Sequence, residues 1–226
     1  MERSAIVTGG TGGLGTAVTK AFLDDGWRVV VPWVAEQELG RVQEHERLTL
    51  VQADLMDPGS AANVVTTAGA GLGAVVNLVG GFAAGGRVHE TPVEDFEAQL
   101  RLNLRPAYLM CAAAVPALLA GGGGAIVCVS SRAALRPFSG AAGYITAKAA
   151  VLAFVDAMHA EYRDDGIRTN AILPSTIDTP ANRRANPDAD VGRWVRPEEI
   201  ARVVRFLCSD DAAVTSGAHV PVYGRA

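Results

Sequence analysis

The sequence predicts one doubly wound α/β domain spanning residues 1–226, built on a seven-stranded parallel sheet. Three observations carry that expectation. Short apolar runs of the kind found in strands buried on both faces recur along the chain, each followed by a helical pattern. A glycine-rich turn joins the first run to the first helix. No composition break, internal repeat or low-complexity linker divides the chain, apart from the tract Gly121 to Gly124.

Taken in order, Ser4 to Val7 reads as the first strand, broken by Thr8-Gly9-Gly10-Thr11-Gly12-Gly13-Leu14-Gly15. A helix follows with Ala17, Val18, Ala21 and Phe22 on one side, stopping at Asp24-Asp25-Gly26, and Arg28 to Val31 is strand two. The charged tract Glu36 to Glu46 is expected to be helical, and Leu48 to Val51 is strand three. Asp57-Pro58 starts a helix that ends in the glycines near 69–73, since proline suits a first turn. Ala74 to Val76 is strand four, closing with Asn77-Leu78-Val79-Gly80-Gly81. After a loop over 82–91, a long helix runs from Pro92 to Leu119, with Phe96, Leu100, Leu104 and Leu109 as candidate inward positions. Ala125 to Val129 is strand five. A helix from near Tyr144 to about Tyr162 ends at Gly166, and Arg168 to Leu173 is strand six. Residues 174–196 form a long polar connection of the kind that makes lids or substrate walls. Pro197 to Leu207 is the last helix and Ala218 to Val222 the last strand.

Composition narrows the function class. With 226 residues and 49% hydrophobic content the chain can bury a large core. A net charge of −4 without a basic stripe argues against a nucleic-acid binder. Cys111, Cys128 and Cys208 have no paired spacing and read as reduced buried thiols, so a cytoplasmic location is expected. The N-terminal Met1-Glu2-Arg3-Ser4 carries no signal-peptide pattern. Two uncharged windows, 64–86 and 107–129, are interrupted by glycines and, in the second, by Pro116; no membrane partner is expected. His45, His89, His159 and His219 lack ligand spacing, and no metal is expected.

Two features point to chemistry. Glycines permit positive φ and close approach of backbone to ligand, and the helix opening at Gly15 aims its N–H groups and positive dipole end at an anion. In a strand–turn–helix–strand unit this reads as a dinucleotide-pyrophosphate site. Tyr144 and Lys148 lie four apart and share a helix face. An ammonium beside a phenol would lower its pKa and suit it to proton transfer at a carbonyl, although Tyr-x-x-x-Lys taken alone is common in helices. Asp54, just past strand three, can reach an adenine edge or cap the next helix.

Together these residues resemble the short-chain dehydrogenase/reductase family over essentially the whole chain. The matching elements are Thr8, Gly9, Gly13 and Gly15 in the turn, then Asp54, Asn77 with Gly80, Asn103, Ser131, and Tyr144 with Lys148. The thirteen-residue gap from Ser131 to Tyr144 matches the family's spacing, so the resemblance implies Ser131 and not Ser130. The resemblance implies a Rossmann-like fold and an NAD(P)-dependent oxidoreductase interconverting a secondary alcohol and a ketone. It implies Tyr144 as general acid or base, Lys148 as its tuner and ribose ligand, and Ser131 as hydrogen-bond donor to the substrate carbonyl. Asn103 is implied to complete a water-linked proton path. The cofactor would contact Gly9, Thr11, Gly12, Gly13, Leu14, Gly15, Trp33, Asp54, Leu55, Asn77, Gly80, Pro174, Ile177 and Thr179, besides Tyr144 and Lys148. A small carbonyl or alcohol substrate and a homodimer or homotetramer are also implied.

The chain departs from the family pattern at Ser175, where glycine is usual, and at Leu78 and Val79. Trp33 and Val34, at the end of strand two, carry no charge to choose between NAD and NADP; the reading leans to NAD for want of a cation to meet a 2′-phosphate. A non-catalytic dinucleotide-binding or redox-sensing module on the same fold is the alternative, and a synthase subunit or epimerase using the same site is a further one.

Overall fold

A computed structural model describes residues 2–225. Its sheet has seven strands in the order β3-β2-β1-β4-β5-β6-β7, every neighbouring pair parallel. The strands are β1 (Ser4–Thr8), β2 (Arg28–Trp33), β3 (Leu48–Gln52), β4 (Leu72–Asn77), β5 (Gly124–Val129), β6 (Ile167–Pro174) and β7 (His219–Val222). All five residues of β1 are buried, because helices cover both faces of the sheet.

On one face α2 (Pro58–Ala68), α3 (Val93–Ala120) and α4 (Ala142–Tyr162) pack over Ile6, Val75 and Ile126. On the other, α1 (Gly15–Asp24) and α6 (Pro197–Cys208) cover Val7, Val76 and Val127. Phe22 of α1, fully buried, meets Trp27 edge-on with ring centroids 5.3 Å apart. Strand order reverses between β1 and β4, so the turn after β1 and the segment after β4 flank a crevice at the carboxyl edge, where open sheets of this type bind ligands.

Several elements differ from the sequence reading. The charged tract after β2 forms only a 3₁₀ turn, Glu36–Arg41, with no buried residue. Without an apolar stripe to bury, a short charged segment lacks the packing that stabilises a helix. Pro116 does not interrupt α3, which runs unbroken through both Pro106 and Pro116. Packing against α2, α4 and β4 offsets the roughly 3 kcal/mol that an interior proline costs. By length and composition α3 is apolar enough to cross a bilayer, yet its buried stripe faces the protein core. That stripe is Asn103, Pro106, Ala107, Met110, Cys111, Ala114, Val115 and Leu118; Phe96, Leu100, Leu104 and Leu109 are only half-buried at its sides. The long connection after β6 contains a short helix, α5 (Pro180–Ala185), capped by Thr179, whose Oγ1 accepts from the Asn182 amide at 3.2 Å.

The glycine turn has the tightest steric requirement in the fold. Gly9 has φ +66°, and a Cβ there would lie 3.2 Å from the backbone of Leu78 and Val79. A Cβ on Gly15 would enter the Gly9 carbonyl and sit 2.6 Å from the Gly10 Cα. Backbone on both sides leaves no side chain to yield. Gly15→Ala is therefore expected to lower the unfolding free energy by more than about 2 kcal/mol, well above the usual effect of a surface substitution. A thermal melt within a degree of the parent protein's would refute this account of the turn.

Candidate active site

Side chains from the end of β5, from α4 and from α3 meet at the carboxyl edge of β4 and β5. Ser131 is the first residue beyond Ser130 at the end of β5; it is 9% exposed, and its Oγ accepts from the Ala133 amide at 3.1 Å. Tyr144 sits in the first turn of α4 with its phenol beside Ser131, whose side chain favours the ionised phenol. Lys148, one turn on and 6% exposed, donates its ammonium to the Val129 carbonyl at 3.0 Å. Ser130 is occupied differently. Its hydroxyl donates to the backbone carbonyl of Lys148 at 2.7 Å, which fastens α4 to the end of β5.

The electrostatics depart from the expectation for the tyrosine. Burial pushes the Tyr144 phenol above its ordinary value of 10, and the nearby Ser131 side chain offsets part of that rise. The Lys148 ammonium does not lower it; it lies 5.9 Å from the ring centroid and faces Val129. Burial also lowers the Lys148 pKa to about 8, since an ammonium withdrawn from water favours its neutral form.

Asn103 reaches this cluster from α3. Its amide bonds are all local: Nδ2 donates to the Gly81 and Gln99 carbonyls, each at 3.0 Å, and Oδ1 accepts from the Gly81 amide at 3.1 Å. Asn103 thus fixes the segment after β4 against α3, and its side chain does not touch Lys148 directly. A Cβ on Gly80 would lie 2.6 Å from Asn103 Oδ1 and 3.1 Å from Lys148 Nζ, so glycine is what lets the two groups face one space.

The residues expected to face a dinucleotide fall into two sets. Gly9, Gly12, Gly13 and Gly15 shape the turn; the Gly12 amide donates to the Gly9 carbonyl at 3.0 Å, and a Cβ on Gly13 would press on Thr179 at 2.9 Å. No side chain caps α1 and no acid stands in its first turn, which leaves its leading amides unpaired by side chains. This cradle fits a pyrophosphate, being built of backbone donors that any Cβ would obstruct. Thr179, Ile177 and Pro174 lie across from it at the end of β6.

Three predicted contacts are turned away. Asn77 points into the core, its Nδ2 toward Cys111 Sγ at 3.3 Å and Cys128 Sγ at 3.6 Å. Leu14 and Leu55 pack in the two cores, which leaves only their backbone for a ligand. Asp54 does not cap α2, a task done by Asp57, whose Oδ2 accepts from the Ser60 amide at 2.7 Å. Asp54 closes its own turn onto the Met56 amide at 2.9 Å and stays exposed at the sheet edge.

One residue escaped the sequence reading. Glu38, in the 3₁₀ turn after β2, accepts from the Thr11 hydroxyl at 2.8 Å and pairs with Arg41 at 3.0 Å. It thereby brings a carboxylate to the glycine turn beside Trp33 and Val34. The signal available was an acid a few residues past an uncharged strand end; the expected helix obscured it. A cavity of about 650 Å³ opens at the opposite edge of the sheet, beside Arg3, Arg168 and Asp210. Its cations are taken up by Asp210 and by the carbonyls of Leu207, Ser209 and Thr215, and no hydroxyl, phenol and ammonium converge there.

A family profile described as enoyl-(acyl carrier protein) reductase matches residues 9–224. The chain is 34% identical to the 2-(R)-hydroxypropyl-CoM dehydrogenase of Xanthobacter autotrophicus, covering 99% of this chain and 98% of that protein. It is 30% identical to the 2,5-dichloro-2,5-cyclohexadiene-1,4-diol dehydrogenase LinX of Sphingobium indicum, over 97% and 94%. A short-chain type dehydrogenase/reductase from Mycobacterium ulcerans superposes with a TM-score of 0.93 at 25% identity, covering 100% of this chain and 90% of the other. Crevice, turn and cluster sit in a chain whose whole length aligns with these dehydrogenases, and the protein belongs to the short-chain dehydrogenase/reductase family of NAD(P)-dependent oxidoreductases.

Proposed function

We propose that the protein interconverts a secondary alcohol and a ketone, with Tyr144, Ser131, Lys148 and Asn103 as its working side chains. The observation that carries this is the convergence of Tyr144, Ser131 and the buried Lys148 on one space, with Lys148 Nζ 5.9 Å from the Tyr144 ring centroid. The Gly9–Gly15 turn would hold the pyrophosphate of a nicotinamide dinucleotide, which would supply hydride to a carbonyl carbon or take it from a carbinol carbon. Ile177 and Thr179 would flank its nicotinamide end.

In reduction, the Ser131 hydroxyl and the Tyr144 phenol both donate to the carbonyl oxygen, where negative charge gathers. The phenol then gives up its proton to that oxygen. A phenol raised by burial is fully protonated at neutral pH, which suits the acid role. Lys148, held on the Val129 carbonyl, borders the same space, and Asn103 holds the Gly80–Gly81 backbone that shapes it.

The coenzyme reading is NAD. Glu38 presents a carboxylate where an adenosine ribose would reach the turn, suited to accept from a ribose diol and to repel a 2′-phosphate. Glu38→Gln is expected to shift the ratio of NADPH to NADH dissociation constants toward NADPH by about tenfold, one such interaction being worth about 1.4 kcal/mol. Calorimetric titration reads it, and an unchanged ratio removes Glu38 from coenzyme choice.

Tyr144→Phe is expected to lower turnover by about 10²-fold or more, the usual contribution of a general acid, with NADH affinity largely kept. Near-parental turnover by that variant on a ketone the parent reduces would end the assignment. For Lys148 the sign follows from a folded pKa near 8 against 10.5 when unfolded. The burial penalty is complete below pH 8, declines as pH rises from there, and is gone above about 10.5. Relative to Lys148→Met, the parent protein should therefore gain on the order of 3 kcal/mol between about pH 7 and 11, at about 1.4 kcal/mol per pH unit of displacement. Parallel denaturation curves for the two proteins at all pH values would show that the lysine is not displaced.

A further inference from the structure

Beside the phenol stands a feature that the proton chemistry does not use. Phe82, just past β4, and Phe138, in the segment between β5 and α4, are 62% and 49% exposed. Phe82 meets the Tyr144 ring edge-on at 87° with centroids 5.0 Å apart, and Phe138 lies 6.3 Å from Phe82. The two rings belong to different loops, and the backbone ties those loops together. The Gly85 amide donates to the Gly140 carbonyl at 2.7 Å. Gly140 has φ +84°, and a Cβ there would stand 2.6 Å from the Gly85 carbonyl oxygen, so only glycine permits the bridge. Neither residues 80–86 nor residues 137–140 include a charged side chain.

Resting on the oxidoreductase reading above, we propose that Phe82 and Phe138 form the specificity wall for a substrate whose carbon frame beside the reacting carbonyl is an apolar ring. Large aromatic faces left open to water next to the reacting phenol gain most from covering by a flat hydrocarbon surface. The bridge holds them in place beforehand, so little ordering is needed when the substrate enters. A carboxylate or phosphate between the rings would lose its hydration, the loop cations Arg87, Arg132 and Arg136 lying outside the stretches that carry the rings.

The test uses the whole protein with NADH and two ketones, cyclohexanone and hydroxyacetone. The parent is expected to favour cyclohexanone in kcat/KM by about tenfold or more, the effect of covering an aromatic side chain. Phe82→Ala and Phe138→Ala should each lower that preference about tenfold, chiefly through KM, while Phe82→Leu retains part of it. Saturation-transfer NMR adds a readout independent of turnover: cyclohexanone should receive magnetisation from aromatic protons, and lose it in the double alanine variant. Equal preference for hydroxyacetone, or a preference untouched in both alanine variants, overturns the wall. Cyclohexanone that binds at the rings without being reduced supports the wall and counts against the oxidoreductase reading. Neither reduction nor aromatic transfer defeats both.

Discussion

The site depends on how α4 is fastened to the end of β5. Ser130 donates to the Lys148 carbonyl and Lys148 returns its ammonium to the Val129 carbonyl, at 2.7 and 3.0 Å. The first bond is buried and the second partly so, where an unmade partner costs more than at the surface. They fix the register of the helix against the strand end, and register decides whether Tyr144 meets Ser131. A shift of one residue would carry the phenol about 100° around the helix axis and out of reach.

That fastening also explains the unusual charge state of the cluster. A lysine inside the protein is costly, yet its backbone partner and the glycine at 80 give it a place that faces the crevice. The same burial raises the phenol and lowers the ammonium. Both shifts thus arise chiefly from desolvation, and not from the mutual charge that their spacing on a helix suggests.

Around this cluster the architecture places other tasks on separate elements. The turn after β1 offers backbone donors, the 3₁₀ turn after β2 offers the Glu38 carboxylate, and the loops after β4 and β5 offer aromatic surface. Each is anchored to its neighbour by a short bond: Thr11 to Glu38, Gly81 to Asn103, Gly85 to Gly140. Loops so linked keep one conformation without burying much of their own chain, which is what a rigid scaffold contributes to a site.

Periodicity and punctuation were enough to place all seven strands and most of the helices, because those signals are local and written in consecutive residues. Helical spacing also drew notice to Tyr144 and Lys148, whereas Ser131 and Asn103 came from the family resemblance. The local signals misjudged the segment after Glu36 and the effect of Pro116, since tertiary packing, and not propensity, settles whether a marginal helix forms. Only the folded chain decided that Asn77 turns inward to two cysteines, that Asn103 serves the backbone, and that Glu38 reaches Thr11. Such partners are brought together by strand order and helix register, which sequence spacing does not encode.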